Sequence, residues 1–282
     1  MPSEIFRPGL LDGQVVIVSG GGAGLGRATA LELAELGATV VVCGRRQEPL
    51  DETVARAAGA AGACEAVVCD IREEDQVAAL VDGVLARHGR IDTLVNNAGG
   101  QFMSPAEDIS SKGFRTVLTL NVEGTWLMTH AVATKAMIPA GGGKIVNVTL
   151  SPHHGLPGMA HSSAARAAVE NLTRVLSIEW ARFGIRLTAL AIGHFATETL
   201  RTKYPKPVVE GVARTVPLGR LGREEEAAWL VAYLASPAGD YFSGAVLTLD
   251  GARDNWYGAW PPTGLADEGG KPLAEERKRK PK

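Results

Sequence analysis

The sequence contains no long apolar run and carries little net charge. No apolar segment approaches the roughly 20 residues that a membrane-spanning helix needs, and residues 1–8 lack the apolar core of a signal peptide. Its 29 Lys and Arg against 31 Asp and Glu leave a formal net charge of −2. Because so small a charge creates no strong field for a polyanion, we expect neither a nucleic-acid partner nor a membrane partner.

Cysteine is scarce. Cys43, Cys64 and Cys69 are an odd number of residues with no zinc-like spacing, and Cys43 and Cys69 lie in apolar segments that are typical of strands. We therefore expect buried, reduced thiols rather than a disulfide or a metal site. Reduced thiols are typical of a reducing compartment, so the predicted localisation is cytoplasmic.

Short apolar segments alternate with longer helical ones. A chain of 282 residues that is 45% hydrophobic can bury the core of one large domain. Continuous apolar segments are typical of parallel strands that are covered on both faces. The alternation predicts an α/β fold, a single domain over residues 1–252 with a Rossmann-type, doubly wound parallel sheet of about seven strands. The predicted strands cover residues 15–19, 39–43, 66–69, 93–96, 144–148, 186–191 and 245–249, and clear helical segments cover 27–36, 74–88 and 166–182.

Two stretches depart from this alternation. Residues 193–222 form a Pro- and Lys-containing connection, far longer than usual, which predicts a substrate loop. Residues 253–282 form a C-terminal extension with a charged, partly mobile end. Its aromatic residues, Trp256, Tyr257 and Trp260, would pack on a neighbouring subunit, border the substrate mouth, or cover the chain's own body.

A glycine-rich segment follows the first predicted strand. Gly20, Gly24 and Gly26 are spaced G-x-x-x-G-x-G directly before a predicted helix. Glycines let the chain turn sharply and bring backbone N–H groups close to a pyrophosphate, while the helix N-terminus contributes its positive dipole end. The strand–turn–helix context favours a dinucleotide site over an ordinary glycine turn. The cofactor contacts predicted from this segment are Ser19, Gly20, Gly22, Gly24, Leu25 and Gly26.

The end of the second predicted strand indicates which dinucleotide binds. An acidic residue there would bind the ribose 2′-hydroxyl of NAD. Here Gly44 is followed by Arg45 and Arg46, whose guanidinium groups could pair with a 2′-phosphate. The sequence therefore predicts NADP(H). The alternative is that the two arginines are a solvated basic start of a helix.

A second motif, Asn96-Asn97-Ala98-Gly99, ends the fourth predicted strand. Together the two motifs resemble the short-chain dehydrogenase/reductase family, and the resemblance covers the chain from about residue 8 to residue 251. It implies that Asp70 and Ile71 border the adenine. It implies that the adenine-side ribose lies across Asn97, Ala98 and Gly99. Asp70 could also cap the helix that follows it.

The segment from Ser162 to Arg166 lacks the Tyr-x-x-x-Lys pair that this family places on a later helix. Ser162 and Arg166 occupy the two positions. A serine hydroxyl is a far weaker acid than a tuned tyrosine, and arginine stays charged in any protein setting. The pair is therefore a poor general acid, although Ser162 can donate a hydrogen bond and Arg166 can hold the nicotinamide ribose and supply positive charge.

Four further segments narrow the resemblance. Residues 7–11, 100–107, 161–166 and 171–181 look like the peroxisomal trans-2-enoyl-CoA reductase branch of the family. This implies NADPH-dependent reduction of the double bond of an acyl-CoA-type substrate, by hydride transfer to the β-carbon. Negative charge would then collect on the thioester oxygen, where fixed donors stabilise it. Such a reaction suits a site that has hydroxyl donors but no tuned tyrosine.

The chain also departs from that branch. The proton-donor tyrosine of the branch aligns with Glu170, and the family's Pro-Gly after the sixth strand is replaced by Ile192-Gly193, while the later threonine is present as Thr197. The last residues, Lys280-Pro281-Lys282, are not a peroxisomal address. The resemblance places Gly193 and Thr197 at the cofactor.

Hydroxyl and amide side chains supply further candidates. Thr149 aligns with the family's catalytic serine and Ser151 is a near neighbour on the same loop, so the two are equally favoured as donors. Either could instead serve only the turn ahead of Pro152. Asn121 matches the family's structural asparagine, whose amide can hold a water chain. The alternative is a buried helix asparagine with satisfied hydrogen bonds.

Three histidines, His153, His154 and His161, titrate near neutral pH. His161 adjoins Ser162 and is the preferred proton source, although the start of a helix could point it at solvent or at another subunit. Glu170 lies two turns beyond Ser162 and is expected to be a solvated helix carboxylate rather than a catalytic one.

The leading prediction is an NADP(H)-dependent oxidoreductase that acts on an acyl thioester. The alternatives are an NADP(H)-dependent carbonyl reductase or alcohol dehydrogenase, and a catalytically silent NADP(H)-binding protein. Four cations of the substrate loop favour an anionic substrate such as a CoA phosphate, unless they are solvated surface: Arg201, Lys203, Lys206 and Arg214. The resemblance also implies a homotetramer or homodimer that forms through two long helices, at roughly residues 112–137 and 158–183.

Overall fold

Parallel strands form one sheet at the centre of the structure. The computed structural model of the chain describes residues 3–151, 153–203 and 206–256. The strands within these residues are β1 (Val15–Ser19), β2 (Thr39–Gly44), β3 (Ala63–Val68), β4 (Thr93–Asn96), β5 (Gly143–Leu150), β6 (Ile185–Ile192) and β7 (Val246–Leu249). They form a seven-stranded sheet in the order β3-β2-β1-β4-β5-β6-β7. The predicted single-domain, doubly wound α/β fold is confirmed.

Helices fill the connections between the strands. The α-helices of the described residues are α1 (Gly24–Glu35), α2 (Gln47–Arg56), α3 (Glu74–His88), α4 (Ser111–Leu118), α5 (Gly124–Val132), α6 (Ile138–Ala140), α7 (Ala160–Glu179), α8 (Glu198–Lys203), α9 (Lys206–Ala213) and α10 (Glu224–Ala235). Two π-helical segments, Thr119–Glu123 and Ala133–Met137, join α4 to α5 and α5 to α6. Short 3-10 turns cover Ala106–Asp108, Ala181–Phe183, Pro237–Gly239 and Arg253–Asn255.

Each face of the sheet is covered by its own apolar cluster. Val15 and Ile17 of β1 belong to a cluster with buried side chains of α3, α5 and α7. Val16 and Val18 belong to a second cluster with α1, α2 and α10. Because successive side chains of a strand point to opposite faces, the continuous apolar run of β1 supplies both clusters. This is why the predicted strands read as unbroken apolar segments.

The strand order positions the candidate site. The chain builds β1, β2 and β3 outward in one direction, then returns so that β4 pairs with the other side of β1. Ser19, Asn96 and Leu150 are the last residues of β1, β4 and β5. Since all strands are parallel, the loops that follow these residues meet at one edge of the sheet, where doubly wound folds bind their ligands.

Most element boundaries differ from the sequence predictions by a few residues, helix α7 begins six residues earlier than predicted, and three further differences concern the character of an element. Strand β3 begins at Ala63 and ends at Val68, so Cys69 lies just beyond the strand rather than in it. The long helix expected at residues 112–137 contains two π-helical segments, which are frequent at functional sites. The 193–222 connection holds two short helices, α8 and α9, rather than an irregular loop. All three cysteines are free thiols, and the expected burial is found for Cys43 and Cys69 but not for Cys64, which is half-buried.

Some predictions fall on residues that are not described. Pro152 and most of the C-terminal extension, including Tyr257 and Trp260, lie outside the described residues. Residues 253–256 of that extension are described, and Asp254 is buried against the rest of the chain. Among the described residues, no helix combines the length and the apolar character that crossing a bilayer requires.

Candidate active site

An open cleft lies at the carboxyl ends of β1, β2 and β4. It brings together residues that the sequence analysis assigned to the dinucleotide from four separate segments. Its lining residues are Gly20, Gly22, Ala23, Gly44, Arg45, Arg46, Pro49, Leu50, Cys69, Asp70, Ile71, Ala98, Gly99 and Leu120. Eight of the sixteen predicted cofactor residues therefore line one surface.

The glycines of the loop after β1 are required by its backbone and by close packing. Gly20 (φ +68°) and Gly24 (φ +55°) adopt left-handed conformations, which side chains other than glycine rarely tolerate. A Cβ placed on Gly26 would lie 2.3 Å from the carbonyl oxygen of Gly20 and 2.4 Å from the amide nitrogen of Asn97. The start of α1 therefore packs directly on the end of β1. Leu25, also predicted to contact the cofactor, is half-buried at that helix start.

The N-terminus of α1 is open at the bottom of the cleft. The helix begins after Ala23, its first turn contains no acidic residue, and no side chain caps its backbone N–H groups. Unpaired N–H groups and the helix dipole together favour an anion at such a position. With the glycine loop beside it, this corner fits the pyrophosphate of a dinucleotide.

Two residues that the sequence analysis missed hold the glycine loop in place. Arg27 is buried and donates from Nη2 to the carbonyl oxygen of Gly22 at 2.5 Å and from Nε to Thr53 Oγ1 at 3.2 Å. Thr53 Oγ1 in turn donates to the carbonyl oxygen of Gly21 at 2.9 Å. The one available signal was a cation in a first helical turn of otherwise small residues, directly after Gly26.

Ser19 and Asn97 fasten the end of β1 to the end of β4. The buried Ser19 hydroxyl accepts from the backbone N–H groups of Asn97 at 3.1 Å and Ala98 at 3.0 Å. The Asn97 amide donates to the carbonyl oxygens of Ser19 at 3.0 Å and Gly20 at 3.2 Å. Both side chains are thereby used in shaping the wall of the cleft, on which Ala98 and Gly99 lie.

The basic corner of the cleft carries charge without a carboxylate partner. Arg45 and Arg46 are exposed beside Gly44, and no ion pair is formed by either arginine among residues 3–151, 153–203 and 206–256. By contrast, Arg72 binds Asp70 through Nε at 2.9 Å and Nη2 at 2.5 Å. The Arg72 hydrogen bonds hold the pKa of Asp70 below its ordinary value, even though burial opposes that shift.

The prediction that Asp70 caps the next helix is wrong. Helix α3 begins at Glu74 and its N-cap residue is Glu73. Asp70 instead accepts from the backbone N–H of Arg72 within the turn that precedes the helix. The side chain of Ile71 is buried along the same wall of the cleft. Asp70 therefore lines the cleft beside Ile71 and does not cap α3.

Arg166 lies between β5 and the end of β4. Its Nη1 donates to the carbonyl oxygen of Val148 at 2.9 Å. A Cβ on Gly99 would come within 2.3 Å of Arg166 Nη2 and 2.7 Å of Asn121 Oδ1. The Nε atom is buried without a hydrogen-bond partner, and no carboxylate of the described residues pairs with the guanidinium. Burial lowers its pKa to about 10, so the group remains a cation near neutral pH.

Asn121 is a fully buried side chain in the first π-helical segment. Its amide donates to the carbonyl oxygens of Gly100 and Val117, each at 2.8 Å. Its Oδ1 accepts from the backbone N–H of Gly100 at 3.2 Å. Both amide hydrogens are in use, so the side chain positions the loop after Gly99. This agrees with the satisfied helix asparagine that was the alternative in the sequence analysis.

His161 and Ser162 are buried side by side at the start of α7. The Ser162 hydroxyl lies 3.5 Å from Gln101 Oε1, a long contact, and the backbone N–H of Ser162 donates to His161 Nδ1 at 2.7 Å. The neutral ring of His161 therefore carries its proton on Nε2, and that atom is buried without a partner. Burial lowers the pKa of His161. The expectation that this ring could face solvent is wrong.

A chain of polar groups runs from the end of β5 into the C-terminal segment. Thr149 Oγ1 donates to Glu170 Oε1 at 2.9 Å, and the same Oε1 lies 3.0 Å from His153 Nε2. On the other side of the ring, His153 Nδ1 lies 2.5 Å from Asp254 Oδ2. The expectation that Glu170 is a solvated carboxylate is wrong, because the residue is 5% exposed. We call Thr149, Glu170, His153 and Asp254 the polar chain.

The charges in the polar chain shift the pKa values of its members. Burial disfavours the charged form of His153, but the hydrogen bond to Asp254 and the charge of Glu170 outweigh it and raise its pKa. Burial likewise opposes ionisation of Asp254, yet its contacts with His153 keep its pKa below the ordinary value. Both directions favour an imidazolium held between carboxylates.

Ser151 is held by a neighbouring carboxylate. Its Oγ donates to Asp250 Oδ2 at 2.5 Å, and the backbone N–H of Asp254 donates to the same oxygen at 2.7 Å. Gly193 packs against Asp250, since a Cβ there would lie 2.5 Å from the Asp250 Cβ. Thr197 reaches the glycine loop, with its Cγ2 3.8 Å from the Cβ position of Gly24. Both predicted hydroxyl donors therefore donate to a carboxylate, Thr149 to Glu170 and Ser151 to Asp250.

The sequence analysis missed Asp250 and Asp254. Asp254 lies 101 residues beyond His153 in the sequence, and no motif or periodicity connects the two positions. It also falls within the segment that was interpreted as a peripheral extension. A signal for Glu170 did exist, because on a helix it shares a face with Ser162 and Arg166 at spacings of eight and four residues.

Comparison with known proteins adds independent findings. The profile of a family described as Enoyl-(Acyl carrier protein) reductase matches residues 20–252. A probable 2,4-dienoyl-CoA reductase of Bacillus subtilis (strain 168) is 35% identical over 259 residues, which cover 89% of this chain and 100% of that protein. A gluconate 5-dehydrogenase of Gluconobacter oxydans (strain 621H) is 36% identical over 246 residues, 86% of this chain and 94% of that protein.

Among solved structures, a citronellol catabolism dehydrogenase of Pseudomonas aeruginosa PAO1 has a TM-score of 0.80 and 44% sequence identity. The match covers 89% of this chain and 98% of that one. The proteins similar to this chain therefore include one named for reduction of a conjugated acyl-CoA and two named as dehydrogenases. The matches cover between 94% and 100% of those three proteins.

Proposed function

The chain belongs to the short-chain dehydrogenase/reductase family, and from this premise we propose that it uses NADP(H) to reduce the carbon–carbon double bond of a 2-enoyl-CoA-type thioester. Membership makes it an oxidoreductase with a nicotinamide cofactor. One observation carries the finer proposal. The site holds a cation, Arg166, without a carboxylate partner among the described residues, where the family has the lysine that tunes its tyrosine.

Arg166 suits the stabilisation of negative charge more than the delivery of a proton. When bound, the cofactor supplies the hydride that bonds to the β-carbon. The electrons of the double bond then move toward the thioester oxygen, and a fixed cation with neighbouring hydroxyl donors stabilises them in a site that excludes water. Removal of one such donor typically costs about 3 kcal/mol. Thr149 and Ser162 are the hydroxyl groups placed on the same side of the sheet as Arg166.

The preference for NADP(H) rests on the basic corner of the cleft. Arg45 and Arg46 are exposed there, and the residues directly after β2 are these two arginines rather than an acidic residue. A 2′-phosphate would give both guanidinium groups an anionic partner in bidentate geometry. Asp70 follows β3 and also lines the cleft, but its carboxylate is already paired with Arg72.

An acyl-CoA substrate is supported by the name of the Bacillus subtilis relative and by the charge of the substrate loop. Lys206 and Arg214 are exposed on and just after α9, where they could attract the phosphates of a CoA. The side chains of Arg201 and Lys203 lie outside the described residues.

A second candidate is a carbonyl reductase or alcohol dehydrogenase. It is favoured by the names of the gluconate and citronellol dehydrogenases, which are as similar to this chain as the acyl-CoA reductase is. It also has a physical basis, because the polar chain supplies titratable groups that could protonate a carbonyl oxygen in place of the tyrosine.

The deciding experiment measures NADPH oxidation with the purified protein. The substrates are 2-enoyl-CoAs and 2,4-dienoyl-CoAs of several chain lengths, with ketones and aldehydes as the matched panel, and NADH in place of NADPH as the cofactor control. Turnover of the thioesters with NADPH supports the proposal. Rapid reduction of ketones beside inert thioesters replaces it with the second candidate, and tight NADPH binding without turnover on either panel indicates a silent binding protein.

We also propose a homo-oligomer in a reducing, cytoplasmic setting. Apolar side chains are exposed along α5 and α7, namely Trp126 (39%), Val175 (43%) and Ile178 (79%). Exposed apolar side chains grouped on two helices are typical of a surface that is covered in an assembly. Sedimentation of the purified protein tests this part, since a monomer at micromolar concentration would contradict it.

A further inference from the structure

We propose that His153, Glu170 and Thr149 form a relay that carries the proton of the reaction from solvent to the substrate. The inference rests on the proposed function only in requiring an oxidoreduction at this cleft, because hydride addition to a double bond or to a carbonyl needs one proton for each hydride. It assigns that proton source to side chains outside the Ser162 and Arg166 positions.

The geometry places a single oxygen at the centre of the relay. Glu170 Oε1 lies 3.0 Å from His153 Nε2 and 2.9 Å from Thr149 Oγ1. A proton that moves from the imidazole to this oxygen is therefore already within hydrogen-bond distance of the hydroxyl. Glu170 and Thr149 are almost fully buried, at 5% and 2% exposure, so water does not compete for these contacts.

A count of protons shows that the polar chain holds one to give. Both ring nitrogens of His153 contact carboxylate oxygens, Nε2 with Glu170 and Nδ1 with Asp254. A neutral imidazole has one N–H and can satisfy one of these contacts. The other contact needs a second proton, either on the ring or on a carboxyl group. The three groups therefore share a proton that can shift between His153 and Glu170.

The entry side of the relay reaches solvent. The His153 side chain is 28% exposed, and the neighbouring His154 is 56% exposed and lies 3.3 Å from Asp254 Oδ1. Asp254 fixes His153 twice, since it also accepts from the His153 backbone N–H at 2.7 Å. The charged groups that face the ring are Glu170 and Asp254, and behind Asp254 lies Asp250, which accepts from the Asp254 backbone.

The delivery side of the relay adjoins the hydrogen bond that holds Arg166. Thr149 directly follows Val148, whose carbonyl oxygen accepts from Arg166. Arg166 in turn lies against Gly99, which lines the cleft. The hydroxyl at the end of the relay is thus one residue away from the cation that we assign to the developing negative charge.

The step balances with water as the source of the proton. As the β-carbon gains the hydride, the α-carbon takes the proton of Thr149 Oγ1. His153 Nε2 passes its proton to Glu170 Oε1, Oε1 passes that proton on to Thr149 Oγ1, and His153 is reprotonated from solvent. One hydride and one proton are added to the substrate, and the oxidant and reductant are those of the proposed reaction.

The two other candidates for the proton source lack such a path. His161 is buried with Nδ1 on a backbone N–H, and no carboxylate contacts it within the part of the chain that the structure describes. Ser151 donates its hydroxyl proton to Asp250. Neither group has a route of hydrogen bonds that ends at an exposed titratable side chain.

The test compares Glu170→Gln, His153→Gln and Thr149→Val with two matched variants. Thr149→Ser keeps the hydroxyl that Thr149→Val removes from the same branched shape, and His130→Gln changes an exposed histidine on α5, outside the relay. For the substrate that the protein turns over best, we expect kcat to fall about 100-fold in Glu170→Gln, His153→Gln and Thr149→Val. Thr149→Ser and His130→Gln should stay within about 3-fold of the unmodified enzyme, a margin well below the effect of general acid catalysis.

Two readouts separate proton transfer from a structural role. In the unmodified enzyme, kcat should fall as pH rises through the pKa of His153, and kcat should show a solvent deuterium isotope effect. In Thr149→Val, the pH dependence and the isotope effect should both be absent. The cofactor-free protein supplies the second readout, because the ¹⁵N shifts of His153 report its pKa directly. Glu170→Gln removes one facing carboxylate and should lower that pKa, while His130→Gln should leave it in place.

The outcomes distinguish the relay from the proposed function. Turnover of ketones instead of enoyl thioesters, with the same variants impaired, rejects the proposed substrate and supports the relay. Turnover with an unchanged pH profile in Glu170→Gln and His153→Gln overturns the relay and leaves the proposed function intact. A His153 pKa that does not respond to Glu170→Gln, or absence of turnover on every panel, also overturns the relay.

Discussion

Replacement of Arg166 by methionine should separate catalysis from stability. Methionine has a similar length but no charge, so the variant loses the cation beside Gly99 and the hydrogen bond to Val148 while it keeps most of the buried volume. We expect kcat/KM to fall about 100- to 1000-fold, the range for loss of one group that stabilises a developing oxyanion. Since Arg166 contacts the reacting region rather than the basic corner, NADPH should still bind within about 10-fold of the original affinity, one hydrogen bond's worth.

The stability effect has opposing parts. Removal of a buried cation without a carboxylate partner relieves a desolvation cost, which is evident in the pKa of about 10. Loss of a donor to the Val148 carbonyl costs about 1–3 kcal/mol if that oxygen stays buried. The free energy of unfolding should therefore change by less than about 2 kcal/mol, because the two terms offset each other.

The assays are steady-state kinetics, NADPH fluorescence titration and urea unfolding. Arg174→Met is the matched control, since Arg174 is an exposed arginine on the same helix, and it should leave all three quantities unchanged. Unimpaired turnover in Arg166→Met, or a variant that fails to fold, would refute the reasoning that the cation serves the reaction rather than the core.

Three further predictions concern the cofactor and the polar chain. The double variant Arg45→Gln, Arg46→Gln should weaken NADPH binding by about 10- to 100-fold, because charge-assisted hydrogen bonds to the 2′-phosphate are lost. NADH binding, measured in parallel, should not change. Equal losses for both cofactors would contradict the assignment of NADP(H). Gly26→Ala places a Cβ 2.3 Å from the Gly20 carbonyl oxygen. It should lower the free energy of unfolding by about 1–3 kcal/mol and weaken the binding of both NADPH and NADH. The control Gly83→Ala on α3 should leave the free energy of unfolding in urea unchanged or raise it. The contacts that raise the pKa of His153 should contribute stability that is complete below the unfolded-state pKa and is lost as pH rises through the folded-state pKa; the difference in unfolding free energy between the original protein and His153→Gln should shrink over that interval, and a constant difference would refute the charged contact.

The fold and the cofactor cleft could be predicted because their determinants are local. The apolar run of β1 and the spacing of Gly20, Gly24 and Gly26 each lie within a dozen residues, and each has one common structural meaning. Parallel strand order then brings the loop after β4 to the same place without further information. These features needed no knowledge of which side chains meet across the sheet.

The proton-handling part of the site could not be predicted in the same way. His153, Glu170 and Asp254 meet because the loop after β5, the first half of α7 and the segment after β7 lie at the same edge of the sheet, although up to 101 residues separate them. A charged residue on a helix is usually solvated, so the interpretation of Glu170 followed the commoner case. The position of Glu170 on the same helix face as Arg166 was the signal that it belongs to the site, and its burial in the structure agrees with that signal.

The central claim, hydride addition to a carbon–carbon double bond, is tested most directly by the position of the label in the product. The protein would be supplied with a 2-enoyl-CoA and NADPH that carries deuterium at the transferable position, and the product analysed by NMR. We expect deuterium on the β-carbon and a solvent-derived proton on the α-carbon. Deuterium at the carbonyl carbon of a ketone control, with no label in the thioester, would contradict the account.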